Sequence, residues 1–140
     1  MKGEGALSMK TEKTEKANDT SKKGSWDALK KATTEMLVLF MLRQKPMYTY
    51  QMAQEVERLT QGVLTYNTMY LAVYRLQANG YIEEKEKRIE DGRARIYLAP
   101  TPAGVSYYES LRQEYQLFTA TLNTLMEQDG TIYDGGTSDA

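Results

Sequence analysis

The chain has 140 residues, enough for one domain with tails, and contains neither cysteine nor histidine. Disulfides and thiolate metal sites are therefore excluded, and the commonest general base and metal ligand is missing. A net charge of -1 is not that of an indiscriminate nucleic-acid binder, so an anion-binding surface has to be a local concentration of Lys and Arg.

Residues 1–25 are rich in Lys, Glu, Thr, Ser and Gly. They carry too little apolar surface to offset the entropy of ordering and are predicted to be a disordered tail. A first helix is predicted from Trp26 to Arg43, with Ser25 as N-cap and Asp27 at the positive end of the helix dipole. Leu29, Met36, Leu37, Phe40 and Met41 recur at helical spacing. Val38, Leu39 and Leu42 make its second half apolar nearly all round, which calls for burial on more than one side. The run Met36–Leu42 is too short to cross a bilayer, and the polar N-terminus lacks a signal-peptide core. The expected location is the cytoplasm.

Pro46 closes the first helix, and a second is predicted over Thr49–Thr60 with Met52, Ala53, Val56 and Leu59 inward and Gly62 as its terminator. A third is predicted over Asn67–Ala78, with Met69, Val73 and Leu76 inward, Thr65 or Asn67 as cap and Asn79-Gly80 as stop. Two β-prone runs, Tyr81–Arg88 and Arg93–Leu98, flank Ile89-Glu90-Asp91-Gly92 and read as a hairpin. Thr101-Pro102 pairs a favoured N-cap with proline at the first helical position, opening a last helix to about Glu127; residues 128–140 read as a flexible tail. The fold class is mainly α with a small β-hairpin. The order helix, helix, helix, hairpin, helix is that of a winged helix-turn-helix: residues 26–99 form the winged domain and 100–127 a C-terminal dimerisation helix.

Three stretches in this order resemble the PadR-like transcriptional regulators, from about Ala32 to Gly104: MLVLFMLRQKPMYTYQMAQEVE, TYNTMYLAVYRLQANGYIEE and DGRARIYLAPTPAG. Thr68, Tyr70, Arg75, Leu76 and Gly80 stand where the family's recurring residues stand, as do Gly92, Arg93, Arg95, Tyr97, Thr101, Ala103 and Gly104. The sequence departs from the pattern at Tyr48-Thr49-Tyr50, where the family usually has His-Gly-Tyr. It departs again at Tyr66, Asn67 and Leu71, where Pro, Gly and Pro are frequent. The resemblance implies a homodimer that represses transcription and is released by a small apolar or aromatic effector.

For such a fold the third helix enters the major groove of double-stranded operator DNA. Its outward side contains Asn67, Thr68, Tyr70, Leu71 and Tyr74, with Arg75 on the flank. Asn67 suits adenine and Thr68 a base edge or phosphate; Tyr66, Tyr70, Tyr74 and Arg75 suit phosphates. Leu71 either touches a thymine methyl or packs beneath the wing. Tyr48 and Thr49 begin the second helix, whose amides and hydroxyls can hold a phosphate, and Tyr50 is either part of that end or a core aromatic. On the hairpin, Lys85 and Lys87 share one face by alternation, as do Arg93 and Arg95. If the two faces coincide, Lys87, Arg93 and Arg95 make a positive stripe for the minor groove; otherwise they form cross-strand pairs.

In the last helix Leu111, Tyr115, Phe118, Leu122 and Leu125 recur by four, three, four and three. That is a heptad seam fit to join two chains. Each such side chain is worth ~1.5–3 kcal/mol when buried, enough in sum to hold a dimer. Trp26, Tyr107, Tyr108, Tyr115 and Phe118 lie near this seam and either line a pocket for a flat apolar effector or belong to the core. No catalytic residues, metal site or cofactor are expected. The alternative to a DNA-binding regulator is a winged-helix protein-interaction module that has lost DNA binding.

Overall fold

A computed structural model describes residues 13–67 and 69–133, with side chains from residue 27 onward. The elements are α1 (Lys13–Gln44), α2 (Thr49–Leu59), α3 (Met69–Ala78), β1 (Ile82–Glu90), β2 (Arg93–Pro100) and α4 (Pro102–Met126). The predicted order of helices and hairpin is the observed one.

Helix α1 is longer than the sequence suggests. It begins at Lys13 rather than Trp26, so Ser25, expected as an N-cap, lies inside it. Adding residues to an existing helix avoids the costly nucleation step, and Lys, Glu and Ala in this stretch are good helix formers. Gly24 costs only about 1 kcal/mol within such a run. The rest of the expected tail, residues 1–12, lies outside the described residues, as does 134–140 at the other end.

The second half of α1 is the spine of the core. Val38, Leu39, Met41 and Leu42 are buried, and Met52 and Val56 of α2, Met69, Ala72, Val73 and Leu76 of α3, Ile82, Leu98 and Tyr108 close around them. Three residues expected on helical stripes, Leu29 and Phe40 of α1 and Leu59 of α2, are exposed instead. Leu59 is the last residue of α2, and Leu29 lies midway along α1, before the segment that enters the core.

The hairpin turns at Asp91-Gly92 alone, not over four residues. Both have positive φ, 52° and 74°, the condition for a two-residue type I′ turn. Met47, just before α2, pairs with Leu98 through Met47 N–H to Leu98 O (3.3 Å) and Leu98 N–H to Met47 O (2.9 Å), fastening the wing to the start of α2. The Thr101 hydroxyl caps α4 by accepting from Gly104 N–H at 3.0 Å, as expected, and donates to the Gly80 carbonyl at 2.7 Å. Here α4 approaches the chain so closely that a Cβ on Gly104 would stand 1.9 Å from the Tyr81 carbonyl oxygen. Tyr81 and Tyr107 stack beside this junction with centroids 4.2 Å apart.

The start of α4 packs on its own domain: Gly104 and Tyr108 are buried, and Tyr107 and Leu111 lie against the core. Beyond Leu111 the helix projects, carrying Tyr115, Leu117, Phe118, Leu122 and Leu125 exposed.

Candidate nucleic-acid interface

Helix α3 turns Met69, Ala72, Val73 and Leu76 inward. The 3.6-residue repeat then sends Tyr70, Leu71 and Tyr74 outward, where they are 63%, 57% and 69% exposed. Asn67 is also exposed, so this side of the helix stands clear of the protein. Thr68 lies outside the described residues. A small cleft brings Thr49 at the start of α2 together with Asn67 and Tyr70, joining two of the predicted contact regions. Tyr50 lines the same cleft and is 58% exposed, so it is not a core aromatic.

Several other expected contacts are turned elsewhere. Tyr66 is only 9% exposed and belongs to the core cluster; its phenol is pushed above its ordinary pKa by burial. Arg75 leans back onto α1, where Nε donates to Glu35 at 2.9 Å. Glu35 also accepts from the Tyr107 hydroxyl at 3.2 Å. Burial, then the charge of Glu35, raises the Tyr107 pKa, so this phenol is a neutral donor. One carboxylate thus ties α1, α3 and α4 together, and Arg75 is its cation.

The wing also departs from expectation. A register shift between Glu84 and Glu86 leaves Lys85 without a partner across the ladder. Arg88 then opposes Arg95 while Lys87 opposes Ile96. Residues directly opposite in a ladder share a face, so Lys87 lies on the face away from Arg93 and Arg95. The conditional Lys87–Arg93–Arg95 stripe is not formed, because the two-residue turn pairs Glu90 with Arg93 and so sets Lys87 opposite Ile96.

The Arg95 face is a stack of arginine and tyrosine. The Arg88 guanidinium lies 4.1 Å from the Tyr97 ring centroid and that of Arg95 lies 4.6 Å from Tyr48. Tyr48 and Tyr97 meet edge to face at 5.4 Å. Arg95 donates to the Tyr48 hydroxyl and to Glu90, and Tyr97 donates to Glu90 at 3.1 Å. Tyr48 and Arg95 therefore lock the wing to α2. Arg93, beside the turn, is exposed and has no partner among the described residues.

Two lysines near this surface carried no signal in the helical pattern. Lys30 of α1 donates to the Thr65 carbonyl and sits 5.1 Å from the Tyr66 ring centroid, with Lys31 beside it. Their polarity was plain, but nothing local says which end of α1 lies against α3.

An apolar groove of about 400 Å³ runs between α1 and α4, lined by Met36, Leu37, Phe40, Tyr108, Tyr115 and Arg112 among others. Of the aromatics proposed for an effector pocket, Tyr108 and Tyr115 line it. Tyr107 is committed to Tyr81 and Glu35, Phe118 lies farther along α4, and the Trp26 side chain is outside the described residues. No helix among the described residues is long and apolar enough to cross a membrane.

The family model of the transcriptional regulator PadR-like family matches residues 38–110, from the core half of α1 through α2, α3 and the wing into α4. Among solved structures, the chain is similar to a transcriptional regulator from Clostridium thermocellum (25% identity, TM-score 0.64, 69% of this chain and 96% of that one covered). It is also similar to a PadR family transcriptional regulator from Eggerthella lenta (23% identity, TM-score 0.68, 81% and 98% covered). A third is a PadR family transcription regulator from Clostridium difficile (25% identity, TM-score 0.56, 67% and 98% covered). No curated protein matches the sequence. With a winged helix-turn-helix and a family match over more than half its length, this chain belongs to the PadR-like family of transcriptional regulators.

Proposed function

We propose that this regulator is a cytoplasmic homodimer that binds operator DNA through α3 and the wing and represses transcription by occluding a promoter. The observation that carries this reading is the outward side of α3 and the turn leading into it, where Tyr70, Leu71, Tyr74 and Asn67 are exposed. An α-helix fits the major groove, and residues near its start reach base edges. Arg93 at the wing tip suits the minor groove or its flanking phosphates. A twofold dimer through α4 sets two such helices on half-sites about one DNA turn apart. A small apolar effector in the groove between α1 and α4 acts by favouring one spacing of the two α3 helices.

The experiment is selection of bound duplexes from a random pool, followed by titration of the enriched sequence at several salt concentrations. Enrichment of a palindromic site and a steep loss of affinity with salt support the reading. A second reading, a protein-interaction module, draws on the apolar character of Tyr70, Leu71 and Tyr74 and on the net charge of -1. It predicts no enriched duplex.

Single substitutions divide the surface. Arg93→Ala is expected to weaken binding to every duplex and to lower the salt slope by about 1, while Asn67→Ala changes which base is preferred at one position. Equal salt slopes for wild type and Arg93→Ala would remove the wing tip from the interface. Arg75→Ala behaves differently, because its partner is Glu35. Both side chains are partly solvated, at 41% and 28% exposure, so the pair contributes about 1 kcal/mol or less. Arg75→Ala is expected to lower the melting temperature by a few degrees and to leave the salt slope unchanged. A reduced slope would instead make Arg75 a phosphate contact.

A further inference from the structure

Beside the exposed side of α3 lies a cleft of about 530 Å³, walled by α1 on one side and by the start of α3 on the other. Asp27, Lys30, Lys31, Asn67, Leu71 and Arg75 are among its lining residues. Three cations therefore face one carboxylate in a chain whose net charge is -1. Their commitments differ. Arg75 is neutralised by Glu35 at 2.9 Å, and Lys30 is held by the Thr65 carbonyl and the Tyr66 ring. Lys31 is exposed and has no partner among the described residues.

The cleft is continuous with the surface assigned to the major groove, since Asn67 and Leu71 belong to both. A duplex seated on α3 would bring a sugar-phosphate strand along that edge of the groove. An anion entering the cleft meets an unpaired ammonium at a partly enclosed site, where charges are screened less than in open water. Lys30 and Lys31 precede the stretch matched by the family model, 38–110, so the feature lies outside what that match covers.

We propose that this cleft receives one backbone phosphate of the bound duplex, with Lys31 of α1 as the contact and Lys30 as the residue that holds α1 in place beside α3. The inference rests on the DNA-binding reading. The contact adds affinity without base preference, because a phosphate is the same at every step.

The test uses the full chain and the duplex enriched by selection. Lys31→Gln is expected to bind every duplex roughly three- to tenfold more weakly at moderate salt, with the salt slope lowered by about 0.9 and the melting temperature unchanged. Lys31→Arg restores both affinity and slope. Replacing single phosphates by neutral methylphosphonates should reveal one position whose neutralisation weakens the wild type but not Lys31→Gln. Wild-type affinity and slope in Lys31→Gln, with Arg93→Ala impaired, would overturn the cleft assignment alone. Failure of the wild type to bind any duplex would bring down the DNA-binding reading together with it.

Discussion

Phe118→Glu is expected to yield a folded monomer that holds the enriched duplex at least about 100-fold more weakly than the wild type. Phe118 is 67% exposed in the single chain and touches none of the core cluster, so its replacement leaves the domain's own packing intact. In the proposed dimer the same position lies in the seam with Tyr115, Leu122 and Leu125. There, two glutamates would face each other in an apolar interface, where unpaired charges are costly. The 25 residues of α4 span about 37 Å, and only Gly104 and Tyr108 are buried by their own chain. An apolar row of that length left in water is the mark of an interface. Losing it separates the half-sites, and the linked-site gain of roughly 10²–10⁴ goes with it. Sedimentation velocity gives the oligomeric state and a duplex titration the affinity. A Phe118→Glu protein that sediments as the wild type does would show that the chains associate elsewhere, or not at all.

Gly104→Ala is expected to lower the melting temperature by about 10–20 °C. On an ordinary helix, exchanging glycine for alanine stabilises by about 1 kcal/mol. Here the new methyl would stand 1.9 Å from the Tyr81 carbonyl oxygen, with the carbonyl carbon at 2.9 Å. Neither atom can step aside, because that carbonyl accepts the Thr101 amide at 3.0 Å and the Tyr81 ring is stacked on Tyr107. The first turn of α4 would have to lift from the domain, which sets the strain at or above the top of the ~1–3 kcal/mol typical of overpacking. After the helix gain, about 2–3 kcal/mol remains as a net loss, and each kcal/mol is worth about 4–8 °C in a domain of this size. Calorimetry on the full chain measures it. A melting temperature equal to or above wild type would mean that α4 can sit farther from Tyr81 without penalty. Because α4 also carries the proposed seam, this variant should lose DNA affinity in proportion to its unfolding, unlike Phe118→Glu.

Much of the architecture was legible because it follows from neighbours in sequence. The spacing of Met69, Val73 and Leu76 gave α3 its inner side, and with it the exposure of Tyr70 and Tyr74. Thr101-Pro102 announced the start of α4, and Asp91-Gly92 the turn of the wing. The apolar row along α4, Tyr115, Phe118, Leu122 and Leu125, was legible for the same reason. The candidate interface was legible only in part. Tyr66 looked like a phosphate donor and is a core residue; Arg75 suited a phosphate and is held by Glu35, while for Arg95, where a groove contact and pairing within the hairpin both stood open, the partners are Tyr48 and Glu90.

The amino-acid sequence by itself determined the order of the elements, the inward side of α2 and α3 in outline, the cap of α4 and the absence of cysteine and histidine chemistry. Each of these depends on contacts within a few residues, where periodicity and φ preference act. Only the tertiary structure decided which cations remain available for a partner. The register of the wing set Lys87 opposite Ile96 and away from Arg95, Glu35 claimed Arg75 from 40 residues away, and the approach of α1 to Thr65 set Lys30 and Lys31 beside α3. A long side chain takes its partner from whatever the fold brings near it. That choice depends on distant segments meeting, which no local pattern encodes.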